Sequence, residues 1–170
     1  MTKSFPSPFA TALALGALAT LGASPALAQT TSTVATTTTV SAECNITVSP
    51  MTFGVYDPVV VHGASDLDGT ATISLTCTKG ATASVALGLG LNAFGSTRRM
   101  ISNIGDYLTY ELHQDSSRMF VWNEEITSLL TLGPATSMAP RNLTVYGRVF
   151  GGQDVRAGAF TDSVLATVNF

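Results

Sequence analysis

The stretch Thr70–Thr78, TATISLTCT, alternates strictly: Ala71, Ile73, Leu75 and Cys77 fall on one side, and Thr70, Thr72, Ser74, Thr76 and Thr78 on the other. A side-chain period of two suits a half-buried β-strand and cannot lay an apolar stripe along a helix. The period returns in Ala83–Leu91, in Tyr107–Gln114 with Leu108, Tyr110 and Leu112 on one side, in Asn142–Phe150 and in Phe160–Phe170. Cys44–Val48, Phe53–Tyr56, Val59–Val61 and Met119–Trp122 add shorter extended runs. Between them lie Pro50, Asp57-Pro58, a polar turn at Ala64–Gly69, a polar loop holding Arg98 and Arg99, and Gly151-Gly152-Gln153-Asp154. Asn123–Pro140 reads as a long connection carrying Leu129, Leu130 and Leu132. About seven strands punctuated by turns predict an antiparallel β-sandwich of immunoglobulin-like size.

The N-terminus carries a different signal. Met1–Ser4 holds one charged side chain, Lys3; Ala10–Gly22 is an apolar core of 13 residues, and Ser24-Pro25-Ala26-Leu27-Ala28 ends in a small-x-small pattern. That order predicts a secretory signal peptide over residues 1–28, cleaved after Ala28. The apolar core is shorter than the roughly 20 residues of a membrane span. The mature chain, from Gln29, would have 142 residues, enough for one domain, with seven basic side chains against 11 acidic ones. Neither this balance nor the 11% of charged residues supplies a basic footprint for nucleic acid or an anionic membrane.

Export gives meaning to the cysteine count. Cys44 and Cys77 are the only two in the chain, and in an oxidising compartment they should pair. Closing a loop of this size stabilises by about 3–4 kcal/mol in the chain-entropy description. Metal is the poorer use of two thiols, since structural zinc takes four ligands and only His62 and His113 could join them.

Residues 29–42, QTTSTVATTTTVSA, form a tail in which seven of 14 residues are Thr and two are Val. Such β-branched content favours extended backbone, although Thr-rich tracts also serve as flexible linkers. One alternate face carries Val34, Thr36, Thr38, Val40 and Ala42; the other carries Thr33, Ala35, Thr37, Thr39 and Ser41. At the far end Phe160, Asp162, Val164, Ala166, Val168 and Phe170 alternate up to the last residue. An uncovered apolar strand invites pairing with another chain. A spare strand at one end and a missing one at the other lead us to expect head-to-tail assembly.

Catalytic constellations are hard to assemble from this chain. His62 and His113 have no evident nucleophile and carboxylate partner. Asp66-x-Asp68-Gly69 resembles the opening of a calcium loop but lacks the later bidentate glutamate. Gly88-x-Gly90 falls on strand positions, away from any strand-to-helix junction. Glu124 and Glu125 are adjacent and point apart. Arg98, Arg99 and Arg148 are expected in surface ion pairs, and Trp122 and Tyr110 in buried packing in preference to a sugar platform. The expectation is a protein that is not an enzyme, with no cofactor, no metal and no nucleic-acid partner.

The ordered segments TVSAECNITVSP, TFGVYDP (52–58), GTATISLTCT (69–78), RRM (98–100), YLTYELHQDSSRMFVW (107–122) and LTVYGRVFGGQDVRAGAFTDSV (143–164), with a terminal Phe170, resemble the spore coat protein U domain. The most specific stretch is Tyr146-Gly147-Arg148, followed by the Gly-x-Gln turn and a Gly-x-Phe-x-Asp strand. The likeness covers essentially the whole mature sequence; the long 123–140 connection departs from it. This domain is used by pilin subunits of archaic chaperone–usher pili. The resemblance implies an incomplete immunoglobulin-like sandwich, completed by a donor strand from another subunit. It implies three partners: other pilin subunits, a periplasmic chaperone and an outer-membrane usher. It implies a donor strand in 29–42, with Val34, Thr36, Thr38, Val40 and Ala42 inward, ahead of a pilin domain in 43–170. The acceptor groove would include Val164, Ala166, Val168 and Phe170. The function implied is a surface pilus subunit for adhesion and biofilm formation. Two other readings stand beside it: a secreted coat protein that completes its own sheet or forms short oligomers, and a carbohydrate-binding module.

Overall fold

A computed structural model describes residues 27–170. The signal-peptide reading of 1–28 therefore lies almost wholly outside the described residues.

Among the described residues nine strands form: β1 (Cys44–Val48), β2 (Leu67–Cys77), β3 (Ala83–Leu87), β4 (Arg98–Ser102), β5 (Tyr107–His113), β6 (Leu130–Leu132), β7 (Arg141–Val149), β8 (Phe160–Thr161) and β9 (Ala166–Asn169). One 3-10 turn, Ile126–Ser128, precedes β6. Two antiparallel sheets result, one ordered β1-β2-β7-β5-β4-β8 and the other β6-β3-β9. Residues 39–170 form one compact unit. The described residues ahead of it carry no strand and are exposed.

The alternation in β2 becomes burial as expected, with Ala71, Ile73, Leu75 and Cys77 all facing the core. Val85 of β3, Val149 of β7 and Trp122 are also fully buried, and side chains such as Ile73 and Leu75 each contribute about 1.5–3 kcal/mol when removed from water. Trp122 donates its indole N–H to the Val85 carbonyl at 2.9 Å, which ties the ring to the second sheet. Cys44 lies directly opposite Cys77 in the β1–β2 ladder, and the two form a disulfide.

Several local expectations give way. Phe53–Tyr56 and Val59–Val61 are not strands. The Asp57 carboxylate accepts the Val59 and Val60 N–H groups at 3.0 Å each, while His62 Nδ1 accepts the Asp57 N–H at 2.9 Å. This Asp-Pro turn outweighs the strand preference of three valines. The polar turn expected at 64–69 is shorter, because β2 begins at Leu67 opposite Val149. Met119–Trp122 forms only a bridge, between Val121 and His113. Leu130 and Leu132 inside the long connection build β6, the edge of the second sheet.

The largest correction concerns Arg98, expected in a surface loop. It opens β4 and is fully buried. Its guanidinium donates to the carbonyls of Gly88 (3.0 and 2.8 Å), Leu87 (3.0 Å) and Trp122 (2.7 Å), and pairs with Glu111 on β5. A buried cation is tolerated only when its donors are met and its charge is countered; here that requirement fastens the first sheet to the end of β3.

The expected strand 160–170 is split. Phe160–Thr161 pairs with β4 in the first sheet, whereas Ala166–Asn169 pairs with β3 in the second. Between them the Ser163 and Leu165 carbonyls accept the N–H groups of Leu91 (3.1 Å) and Gly88 (2.8 Å). The alternation continues unbroken while the strand changes partner.

Candidate functional site

The second sheet is short on one side. β9 pairs with β3, and among the described residues its other edge has no strand partner. Beside that edge the sandwich is open, between the segment following β1 and the segment leading into β9. Two adjoining cavities, of about 340 and 750 Å³, share Met51, Phe53, Met100 and Phe160 in their walls. Val48, Leu87, Leu112 and Val145 extend the apolar lining of the first.

The floor depends on two glycines. Gly69 on β2 and Gly147 on β7 are cross-strand partners, and the Phe53 ring lies over both. A Cβ built on Gly147 would stand 2.7 Å from Phe53 Cζ and nearer still to Met51 Sδ; one on Gly69 would stand 2.9 Å from Phe53 Cδ1. The absence of both side chains opens the slot. The Phe53 ring then meets Tyr110 edge-on, with centroids 6.1 Å apart.

One wall is polar. Tyr110, 4% exposed, donates its hydroxyl to Asp162 Oδ2 at 2.7 Å. Asp162 Oδ1 accepts the backbone and side-chain N–H groups of Asn92 at 3.2 and 2.9 Å. Burial, reinforced by the Asp162 carboxylate, pushes the Tyr110 phenol well above its ordinary range, so it stays a protonated donor.

The expected groove residues divide. Val164 and Ala166 line the first cavity. Val168 sits on β9 opposite Val85 and packs on the core, and Phe170 follows the strand at 55% exposure; neither is in the walls of these two cavities. Phe160 and Asp162, on the same alternate face as Val164, do line it. The spacing of the terminal run held that signal. The Met51–Phe53 floor had none, since it depends on glycines far away in sequence. Val34, Thr36, Thr38, Val40 and Ala42 are all exposed and unpaired within the tail.

Other candidates have structural employment. Asp68 pairs with Arg148 and Arg118, and Asp66 with Arg148, so the calcium-like carboxylates are committed to guanidinium groups; the Arg148 hydrogen bond leads in holding Asp68 below the usual carboxylate range. His62 stacks on Tyr56, with centroids 5.2 Å apart. His113 is buried with neither ring nitrogen hydrogen-bonded, and desolvation lowers its pKa. Trp122 and Tyr110 are core residues. Arg99 lies over the Tyr107 ring at 4.0 Å.

Residues 30–167 match the Spore Coat Protein U domain. The chain belongs to the Spore Coat Protein U domain family. A relative in that range of likeness is Protein U of Myxococcus xanthus, 43% identical over 130 residues, which cover 71% of each chain. Among solved structures, the chain is similar in fold to a chain of the CsuC–CsuE chaperone–tip adhesion subunit pre-assembly complex from archaic chaperone–usher Csu pili of Acinetobacter baumannii. The TM-score is 0.58 at 20% identity, over 78% of the present chain. It spans 41% of the length of that chain. The fold is thus the incomplete immunoglobulin-like sandwich expected of the family, and the family match begins within the Thr/Val tail.

Proposed function

We propose that this protein is a structural subunit of an exported surface pilus, assembled head to tail through a chaperone–usher route. Residues 29–42 of one copy add as a strand to the free edge of β9 in the next, and alternate side chains enter the groove. Val34, Thr36, Thr38, Val40 and Ala42 are the inward set. The observation that carries this reading is the unpaired β9 edge standing beside an open apolar groove. Support comes from the tail: Val34 and Val40 are 87% and 81% exposed, a state that costs about 1.5–3 kcal/mol each relative to burial. Main-chain hydrogen bonds along β9 supply affinity, and pockets for alternate residues supply specificity. Before assembly a periplasmic chaperone covers the same edge, and an outer-membrane usher replaces it with the next subunit's tail. The filament serves attachment and biofilm formation at the cell surface, and the protein performs no catalysis.

The family's description as a spore coat domain favours a second reading, a coat protein using the same contact in closed or short assemblies. Two disulfide-intact proteins separate these and test both. One begins at Glu43; the other also starts there and carries residues 29–42 behind Phe170 through a flexible linker. Strand addition requires the first to aggregate or melt early, and the second to be monomeric and markedly more stable. Similar cooperative melting of both would refute it. An open ladder of multimers from the mature chain indicates a filament; a closed species indicates a coat.

A further inference from the structure

In the stretch of groove beside Val164 and Ala166, Asp162 is the one charged lining side chain. A carboxylate offers about four acceptor positions; Asn92 fills two and Tyr110 one. The Tyr110 hydrogen is spent on Asp162, which leaves the phenol oxygen free to accept among the hydrogen bonds described. A purely apolar side chain pressed onto this wall would strip water from both oxygens and return no hydrogen bond. A threonine would donate its hydroxyl there and lay its methyl on the apolar neighbours.

The tail has that chemistry in the same order of length. Val34 to Val40 spans about 20 Å in extended form, the same number of residues as Phe160 to Ala166, and within it the inward face carries Thr36 and Thr38 between two valines. We propose that the Tyr110–Asp162 pair is a specificity-determining site of the groove, which selects a threonine hydroxyl, from Thr36 or Thr38 of a second copy, at one register of the incoming strand. This rests on the strand-addition reading above. A register that brought Val34, Ala35, Val40 or Ala42 to this site would leave its acceptors unmet.

The test uses multimers of the full mature chain and follows their dissociation on heating. Thr36→Val and Thr38→Val keep the β-branched shape and remove only the hydroxyl, and both lie outside the folded unit, so folding is untouched. One of the two should shorten multimer lifetime about tenfold, as loss of a hydrogen bond to a charged group does, and the other should change it less than about twofold. Serine at the sensitive position should restore the lifetime. In an Asp162→Asn background the valine penalty should shrink. Lifetimes kept or lengthened by both valines, or a penalty that serine or Asp162→Asn leaves unaltered, would overturn the proposal while strand addition stands. Failure of the unmodified chain to form any multimer would remove strand addition itself, and this selection with it.

Discussion

Substituting Arg98 by methionine keeps much of the side-chain volume while removing a buried cation. The structure sets the size of the effect. Arg98 is fully buried, and its partner Glu111 keeps only 17% of its side chain exposed. Four hydrogen bonds from the guanidinium to the Leu87, Gly88 and Trp122 carbonyls are lost along with the ion pair. Stranding one member of a buried pair costs about 3–5 kcal/mol, against a total stability of about 5–15 kcal/mol for a domain. Urea unfolding of the disulfide-intact mature chain should show it as a midpoint lowered by about 1.5–2.5 M, for a slope near 2 kcal/mol/M. Glu111→Gln alone leaves the carbonyl contacts in place and should cost less. The double variant should be more stable than the sum of the two by about 1 kcal/mol or more, since the residues touch. Rescue stays partial because the carbonyls remain unmet. A midpoint shift under about 0.5 M for Arg98→Met, or strict additivity, would refute the assignment of Arg98 as the clamp between the sheets.

Gly147→Val should push Met51 and Phe53 off the groove floor and destabilise the protein by about 1–3 kcal/mol; differential scanning calorimetry checks this, and an unchanged melting temperature would show that the Phe53 slot is not needed. For His113, burial lowers the folded pKa, with Arg148 and Arg118 acting in the same direction and Glu111 and Asp115 opposing. The unfolded chain therefore binds the proton first, so stability should decline as pH falls below about 6.5; melting at pH 7.5 and 5.5 should show a drop that His113→Gln reduces.

Sequence periodicity revealed the strands whose faces are unlike, such as β2, and the terminal run that supplies Val164 and Ala166. The cysteine count, taken with the expected export, gave the Cys44–Cys77 disulfide, because two thiols have one intramolecular pairing. What stayed hidden depends on partners. Arg98 looked like a loop residue because an arginine's carbonyl acceptors leave no mark beside it in sequence. The break of 160–170 between two sheets was invisible since a period of two survives a change of neighbour. Val59–Val61 failed for the opposite reason, a local one: Asp57 and Pro58 set a turn that no count of valines outvotes.

The placement of the disulfide has a mechanical consequence. In the proposed head-to-tail fibre under tension, the pull would enter each folded unit just ahead of Cys44, at the first rung of the β1–β2 ladder. Without a covalent tie, that load would peel β1 away one pair at a time, starting from the rung nearest the pull. The Cys44–Cys77 bond passes it at once to β2, an 11-residue strand held on its other side by nine paired residues of β7. Force is thereby turned from unzipping a short edge strand into shearing the middle of the larger sheet, where many hydrogen bonds must yield together.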